Sequence, residues 1–119
     1  MNTHAPPAPS DDLTAVLLEL RGEFIASMPE RFAEMRRALP RCTHEPEARD
    51  ALRRVAHRIA GTAETFGMAP LGLLADAIER YCVGQRWVGD EVTALSEALD
   101  LADDYLRAVH AAGAESCDD

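Results

Sequence analysis

The sequence predicts an all-α protein, an antiparallel bundle of four helices whose N-terminal helix is kinked or split. Three observations predict it. Alanine and leucine dominate and only six of 119 residues are aromatic, a balance that favours helix over strand. Four segments place apolar residues at spacings of three and four, and no segment alternates with the period of two that a half-buried strand requires. Short connections rich in proline and glycine separate these segments, as in bundles whose neighbouring helices reverse direction.

The chain begins with residues 1–10, rich in Pro and Ala and without periodicity, which read as a disordered tail. Ser10, Asp11 and Asp12 offer an N-cap for the first helix. From there Leu17, Leu20, Phe24, Met28, Phe32, Met35 and Leu39 keep one apolar stripe in phase, so all seven are expected in the core. Pro29 interrupts the run and removes one helical hydrogen bond, hence the expected kink or restart near residues 26–29. Residues 40–45 read as a connection. Pro46 suits the first turn of the second helix, with Thr43 or Glu45 near its cap. Gly67 is the expected stop of that helix, and Pro70 suits the first turn of the third. Leu71, Leu74, Ala75 and Ile78 give the third helix its buried face, with Cys82 at its end. Residues 83–89 read as a loop, with Trp87 folded onto the edge of the core. Asp90 caps the last helix, which buries Val92, Leu95, Leu99, Ala102, Leu106 and Val109. Residues 113–119 read as an acidic, frayed tail, leaving 11–112 as a single domain.

Composition narrows the function. A net charge of −9 argues against nucleic acid as a partner. The chain has no lysine, and eight of its 12 basic residues, all arginine, fall in residues 31–58. That segment carries +4 and the remainder −13, so a basic patch sits on an acidic protein and suits an acidic partner surface. No apolar run approaches the roughly 18 residues that span a membrane, and residues 1–12 do not resemble a secretory signal. Cys42, Cys82 and Cys117 lack metal-ligand spacing and read as reduced cysteines, consistent with the cytoplasm.

The chemistry concentrates in residues 53–67, RRVAHRIAGTAETFG. At about 100° per residue, a helix centred on Ile59 buries Leu52, Val55, Ala56, Ala63 and Phe66. His57 falls on the opposite face, with Asp50, Arg53, Arg54, Gly61 and Glu64 as neighbours. A glycine inside a helix costs about 1 kcal/mol against alanine. Gly61 lies one turn from His57, where a side chain would crowd the imidazole. An open Gly61 therefore points to close approach by another molecule. His4, His44 and His110, in a tail, a loop and a helix end, are assigned no role.

His57-Arg58-Ile59-Ala60-Gly61-Thr62-Ala63, then Gly67, Leu71, Leu74 and Ile78-Glu79, resembles the signature of the histidine-containing phosphotransfer (HPt) domain. The resemblance covers roughly residues 15–110 and implies the up-down-up-down order of the bundle. It implies that His57 is a phosphoacceptor, taking a phosphoryl group from, or giving one to, the aspartate of a response-regulator receiver domain in a two-component phosphorelay. A hybrid histidine kinase is a further partner. The protein would then be a phosphocarrier rather than a self-sufficient enzyme, with no cofactor of its own, Mg²⁺ being supplied by the receiver. No ATP-binding motif of a kinase is present. Arg53, Arg54, Arg58, Ala60, Gly61 and Glu64 are the expected partner-binding residues, and the protein is expected to be a monomer. Ala60 departs from the family, which usually has lysine three residues after the histidine. Arg53 or Arg54 is expected to take over the lysine's charge. The same departure leaves room for an alternative, a binding module that uses this surface as an adaptor or inhibitor without transferring phosphate.

Overall fold

The computed structural model describes the backbone of residues 10–83, 87 and 90–117, and their side chains within 12–112. The order is α1 (Ser10–Ala38), a 3₁₀ turn (Leu39–Thr43), α2 (Pro46–Thr65), α3 (Ala69–Cys82) and α4 (Asp90–Cys117). No strand occurs among the described residues. The expected tails 1–9 and 118–119, and loop residues 84–86, 88 and 89, lie outside the description.

The core is the predicted one at its centre. Met28, Phe32, Met35 and Leu39 come from α1 and the turn, Leu52, Ala56, Ile59 and Ala63 from α2, and Leu71, Ala75 and Ile78 from α3. Leu95, Leu99, Ala102 and Leu106 of α4 complete it, and Trp87 folds onto it as expected. Each large apolar side chain buried in this way contributes about 1.5–3 kcal/mol. Arg36 ties α1 to α4 through Asp100 at 2.8 Å and Asp103 at 2.7 Å. Half exposed, this bridge fixes register more than it adds stability.

The structure corrects the sequence reading at both ends of α1. The helix is continuous from Ser10 through Pro29 to Ala38, so the chain does not break and restart there. The helical bonds on either side of Pro29 carry it across the one that proline deletes. Leu17 and Leu20, expected in the core, are 42% and 45% exposed. The reason is length. Phe24 stacks on Phe66 with ring centroids 5.8 Å apart, and α2 has ended at Thr65. Nothing from α2 therefore reaches the α1 residues before Phe24. At the other end, Leu39–Thr43 continues the chain as a 3₁₀ turn that buries Leu39 and Cys42, where a plain connection was expected.

Caps explain most of the remaining boundaries. Glu45 is the N-cap residue of α2 with Pro46 following, but its carboxylate accepts from Arg41 Nε at 2.7 Å and not from the helix. Gly67 ends α2 with φ of 73°, where glycine carries no steric penalty. Met68 N–H donates to Ala63 O at 2.8 Å and Gly67 N–H to Glu64 O at 3.1 Å, the two bonds of a Schellman motif. This sharp stop turns the chain directly into α3. Asp90 is the first residue of α4 and, with Glu91, places acid in its first turn. The same helix passes Gly113 and runs to Cys117, beyond the expected end. Alanines on both sides offset the cost of one glycine. Burial pushes the Cys82 thiol up to about 12 and raises that of Cys42, so neither is a ready nucleophile at neutral pH.

Candidate functional site

The α2–α3 hairpin builds the site, because its three-residue connection brings the outer faces of both helices side by side. Their contact is the most extensive between any two elements. At Gly72 α3 lies within ordinary van der Waals reach of α2. A Cβ there would lie 3.6 Å from Ala60 O and 3.8 Å from the Ala63 Cβ, and a longer side chain would have to turn away from α2.

His57 projects from the middle of α2 with its side chain 72% exposed, on the face the periodicity assigned. Its Nδ1 lies 2.8 Å from Glu79 Oε2 on α3. A carboxylate oxygen can only accept, so the Nδ1 proton is donated to Glu79. In the neutral ring this tautomer leaves the lone pair on Nε2, which is what a nucleophilic imidazole requires. Mounting the ring on a helix and tethering it to a second one fixes its orientation at little entropic cost.

A groove of about 520 Å³ opens beside the ring. Its α2 wall is His57, Ala60, Gly61 and Glu64, and its α3 wall includes Leu73, Asp76 and Glu79. Leu73 is 68% exposed, a large apolar side chain held out in the groove. Apart from its own helix backbone, no heavy atom lies within 4 Å of where a Cβ at Gly61 would stand. Packing inside the chain therefore gives no reason for glycine at this position.

The expected partner-binding residues divide into two sets. Ala60, Gly61 and Glu64 join His57 in the groove. The arginines do not. Arg53 and Arg54 both donate to the Asp50 carboxylate, at 3.1 and 2.8 Å, one turn back along α2. Arg58 borders a smaller pocket toward α1, with Phe24, Arg31, Ile59 and Thr62. Among the described residues no arginine lines the groove itself; Arg80 reaches its α3 wall, donating to Asp76 at 2.7 Å. Glu79 and Leu73 were not among the expected site residues. The glutamate was visible as the last residue of the motif, 22 positions after His57, but only the hairpin register shows that it meets the ring. Leu73 carries no sequence signal, since it looks like one more leucine of an amphipathic helix.

Among known families, the Hpt domain model matches residues 19–112, most of the chain and all of the hairpin. The chain belongs to the Hpt domain family. No curated protein and no solved structure gives a match. Hpt domains act in phosphotransfer in two-component systems, where they interact with receiver domains and kinases. The match begins at Glu19, so the first two turns of α1 precede it. Among the described residues, no helix is long and apolar enough to cross a membrane.

Proposed function

We propose that this Hpt domain carries a phosphoryl group on His57 Nε2, exchanging it with the aspartate of a receiver domain. The observation that carries the reading is the exposed imidazole held at Nδ1 by Glu79 beside an open groove. In the forward direction the Nε2 lone pair attacks the phosphorus of the aspartyl phosphate. The N–P bond forms as the P–O bond breaks, and the electron pair leaves with the receiver's carboxylate. Nδ1 keeps its proton, so the ring gains positive charge, which the Glu79 carboxylate offsets. The return transfer reverses each step. Mg²⁺ is assigned to the receiver, and this chain to the nucleophile and a docking surface.

Gly61 and Ala60 leave space for the receiver's phosphorylated loop, and Leu73 offers it an apolar anchor. Arg53 and Arg54 supply positive charge at the rim while bound to Asp50. The hairpin and the long helices are read as an up-down-up-down bundle, with α1 bent at Pro29. Pairing of Phe24 with Phe66 and of Arg36 with Asp100 supports that order. The cytoplasm is the compartment this reading assigns, since receivers work there.

Incubation with phosphorylated receivers from the same organism tests the function. Transfer of an acid-labile label to this chain is the expected result. Binding without transfer to any of them would replace the reading with that of a non-transferring adaptor or inhibitor. The role of Glu79 has its own test. Glu79→Ala is expected to slow transfer about tenfold, the loss of one charge-assisted hydrogen bond at an exposed site. Glu79→Gln, which can still accept from Nδ1, should recover part of the rate. Nitrogen NMR should show the Nδ1–H tautomer of His57 in the wild type and a mixture in Glu79→Ala. An unchanged tautomer would make Glu79 a bystander.

The rim charge is tested by reversing Arg53 and Arg54 together to glutamate. Receiver association should slow about tenfold at low salt and lose part of its salt dependence, because rim charges act mainly on the on-rate. Equal rates for both proteins at low salt would reduce the arginine cluster to a solvated face.

A further inference from the structure

The first three turns of α1 expose a row of large apolar side chains outside the core and away from His57. Leu13 is 53% exposed, Val16 49%, Leu17 42% and Leu20 45%. At about 100° per residue the four fall within roughly 100° of one another. They continue the stripe that Met28, Phe32 and Met35 bury further along the same helix. Scattered exposed leucines need no explanation, but a contiguous stripe in phase with a core does.

Among the described residues, no element buries this stripe. The α2–α3 connection stops level with Phe24, where Phe66 stacks. α4 runs alongside, with His110 and Ala111 beside Ile25 and Ala26, but its side chains at 111 and 112 are alanines and exposed. The stripe also lies largely before residue 19, where the family match begins.

We propose that the stripe is a self-association surface, covered by α1 of a second copy of this chain in a parallel two-fold pair. Charge selects both the occupant and the orientation. Asp12, Glu19 and Glu23 border the stripe on one side, and Arg21 borders it on the other. None of these four has an ion-pair partner among the described residues. In a parallel two-fold pair, the left flank of one helix runs along the right flank of the other, so the acidic edge meets the arginine edge twice. In an antiparallel pair like edges meet, and the three acids of each copy would repel. A copy of the same helix therefore supplies both the apolar knobs and the opposite charge. The sequence reading expects a monomer with Leu17 and Leu20 in the core; their exposure of 42% and 45% is what opens the surface for a second copy. The paired region is about two turns long, which makes the dimer a dissociable one.

His57 lies nine residues before Phe66 on α2, so the pair leaves the groove of each copy open. The inference does not depend on the phosphotransfer reading, and the experiment separates them. Sedimentation equilibrium of the full chain should show the average mass rising from 13.0 kDa toward twice that value between micromolar and submillimolar concentrations. Leu17→Glu combined with Leu20→Glu should hold the mass at the monomer value. Both positions are exposed, so helicity and the transfer rate should not change. Under mild oxidation, Leu17→Cys alone should form a linked dimer well above the wild-type background. A wild-type chain that stays monomeric throughout, or a double variant that still dimerises, would overturn the proposal. In an antiparallel pair Leu13 meets Leu20 of the other copy. Crosslinking of a Leu13→Cys and Leu20→Cys mixture, with none from either alone, would overturn the orientation.

Discussion

A chain carrying His57→Gln should fold as the wild type does and take no label from a phosphorylated receiver. The stability side follows from exposure. The ring is 72% exposed and its hydrogen-bond partner is Glu79, so a polar replacement should change stability within about 0.5 kcal/mol. The chemical side follows from the nucleophile. Glutamine has no lone pair on nitrogen free to attack phosphorus, and no other described histidine is placed to substitute. His44 follows the 3₁₀ turn, and His110 borders the far groove between α1 and α4. Neither lines the α2–α3 groove, and neither has a carboxylate on its ring nitrogen in the way His57 has. Acid-labile label on the wild type and none on the variant is the expected outcome, with circular dichroism and receiver binding unchanged. Undiminished labelling of His57→Gln would falsify the assignment. If the variant still binds the receiver while losing label, binding and chemistry are separated in one protein.

The parts of this site that the sequence shows are those set by local periodicity. One helix through Ile59 places His57 outward because six apolar residues share the opposite face, and four of them, Leu52, Ala56, Ile59 and Ala63, are fully buried. Gly67 and Pro70 mark the hairpin for the same reason, since left-handed backbone and a missing N–H are local properties. What the sequence does not show depends on register between helices. Glu79 meets His57 only because the Schellman stop at Gly67 and the van der Waals contact at Gly72 fix how α3 lies along α2. The ion pairing of the arginines depends on a choice between neighbours at equal spacing. Proximity along the helix suggested that Arg53 and Arg54 serve His57, but Asp50 is at the same helical spacing from them and takes both. Leu17 and Leu20 continue a core stripe in the sequence, and only the lengths of the neighbouring helices reveal that the core ends before them.

Substituting Gly61 should separate stability from activity. Alanine there has no neighbour to displace, since a Cβ would find nothing within 4 Å beyond its own helix backbone. Gly61→Ala should therefore raise stability by up to about 1 kcal/mol through helix propensity and reduced freedom of the unfolded chain. Glutamine, also a good helix former, should leave the fold at least as stable as the wild type. Transfer should move the other way. Gly61 lines the groove one turn from His57, and the approaching receiver must place its phosphorylated aspartate within bonding reach of Nε2. A methyl at 61 stands at the edge of that path and should slow transfer moderately. A glutamine side chain reaches across the groove toward Leu73 and Asp76 and should reduce transfer by at least about 100-fold, the size expected when a reacting pair is held about 1 Å too far apart. Thermal unfolding and phosphotransfer measured on the wild type, Gly61→Ala and Gly61→Gln give the two trends together. A rise in melting temperature alongside a fall in transfer identifies glycine as space kept for a partner. If Gly61→Gln transfers at the wild-type rate, the groove beside His57 is not the path of approach, and the receiver must reach Nε2 from the α1 side of α2, past Arg58 and Thr62.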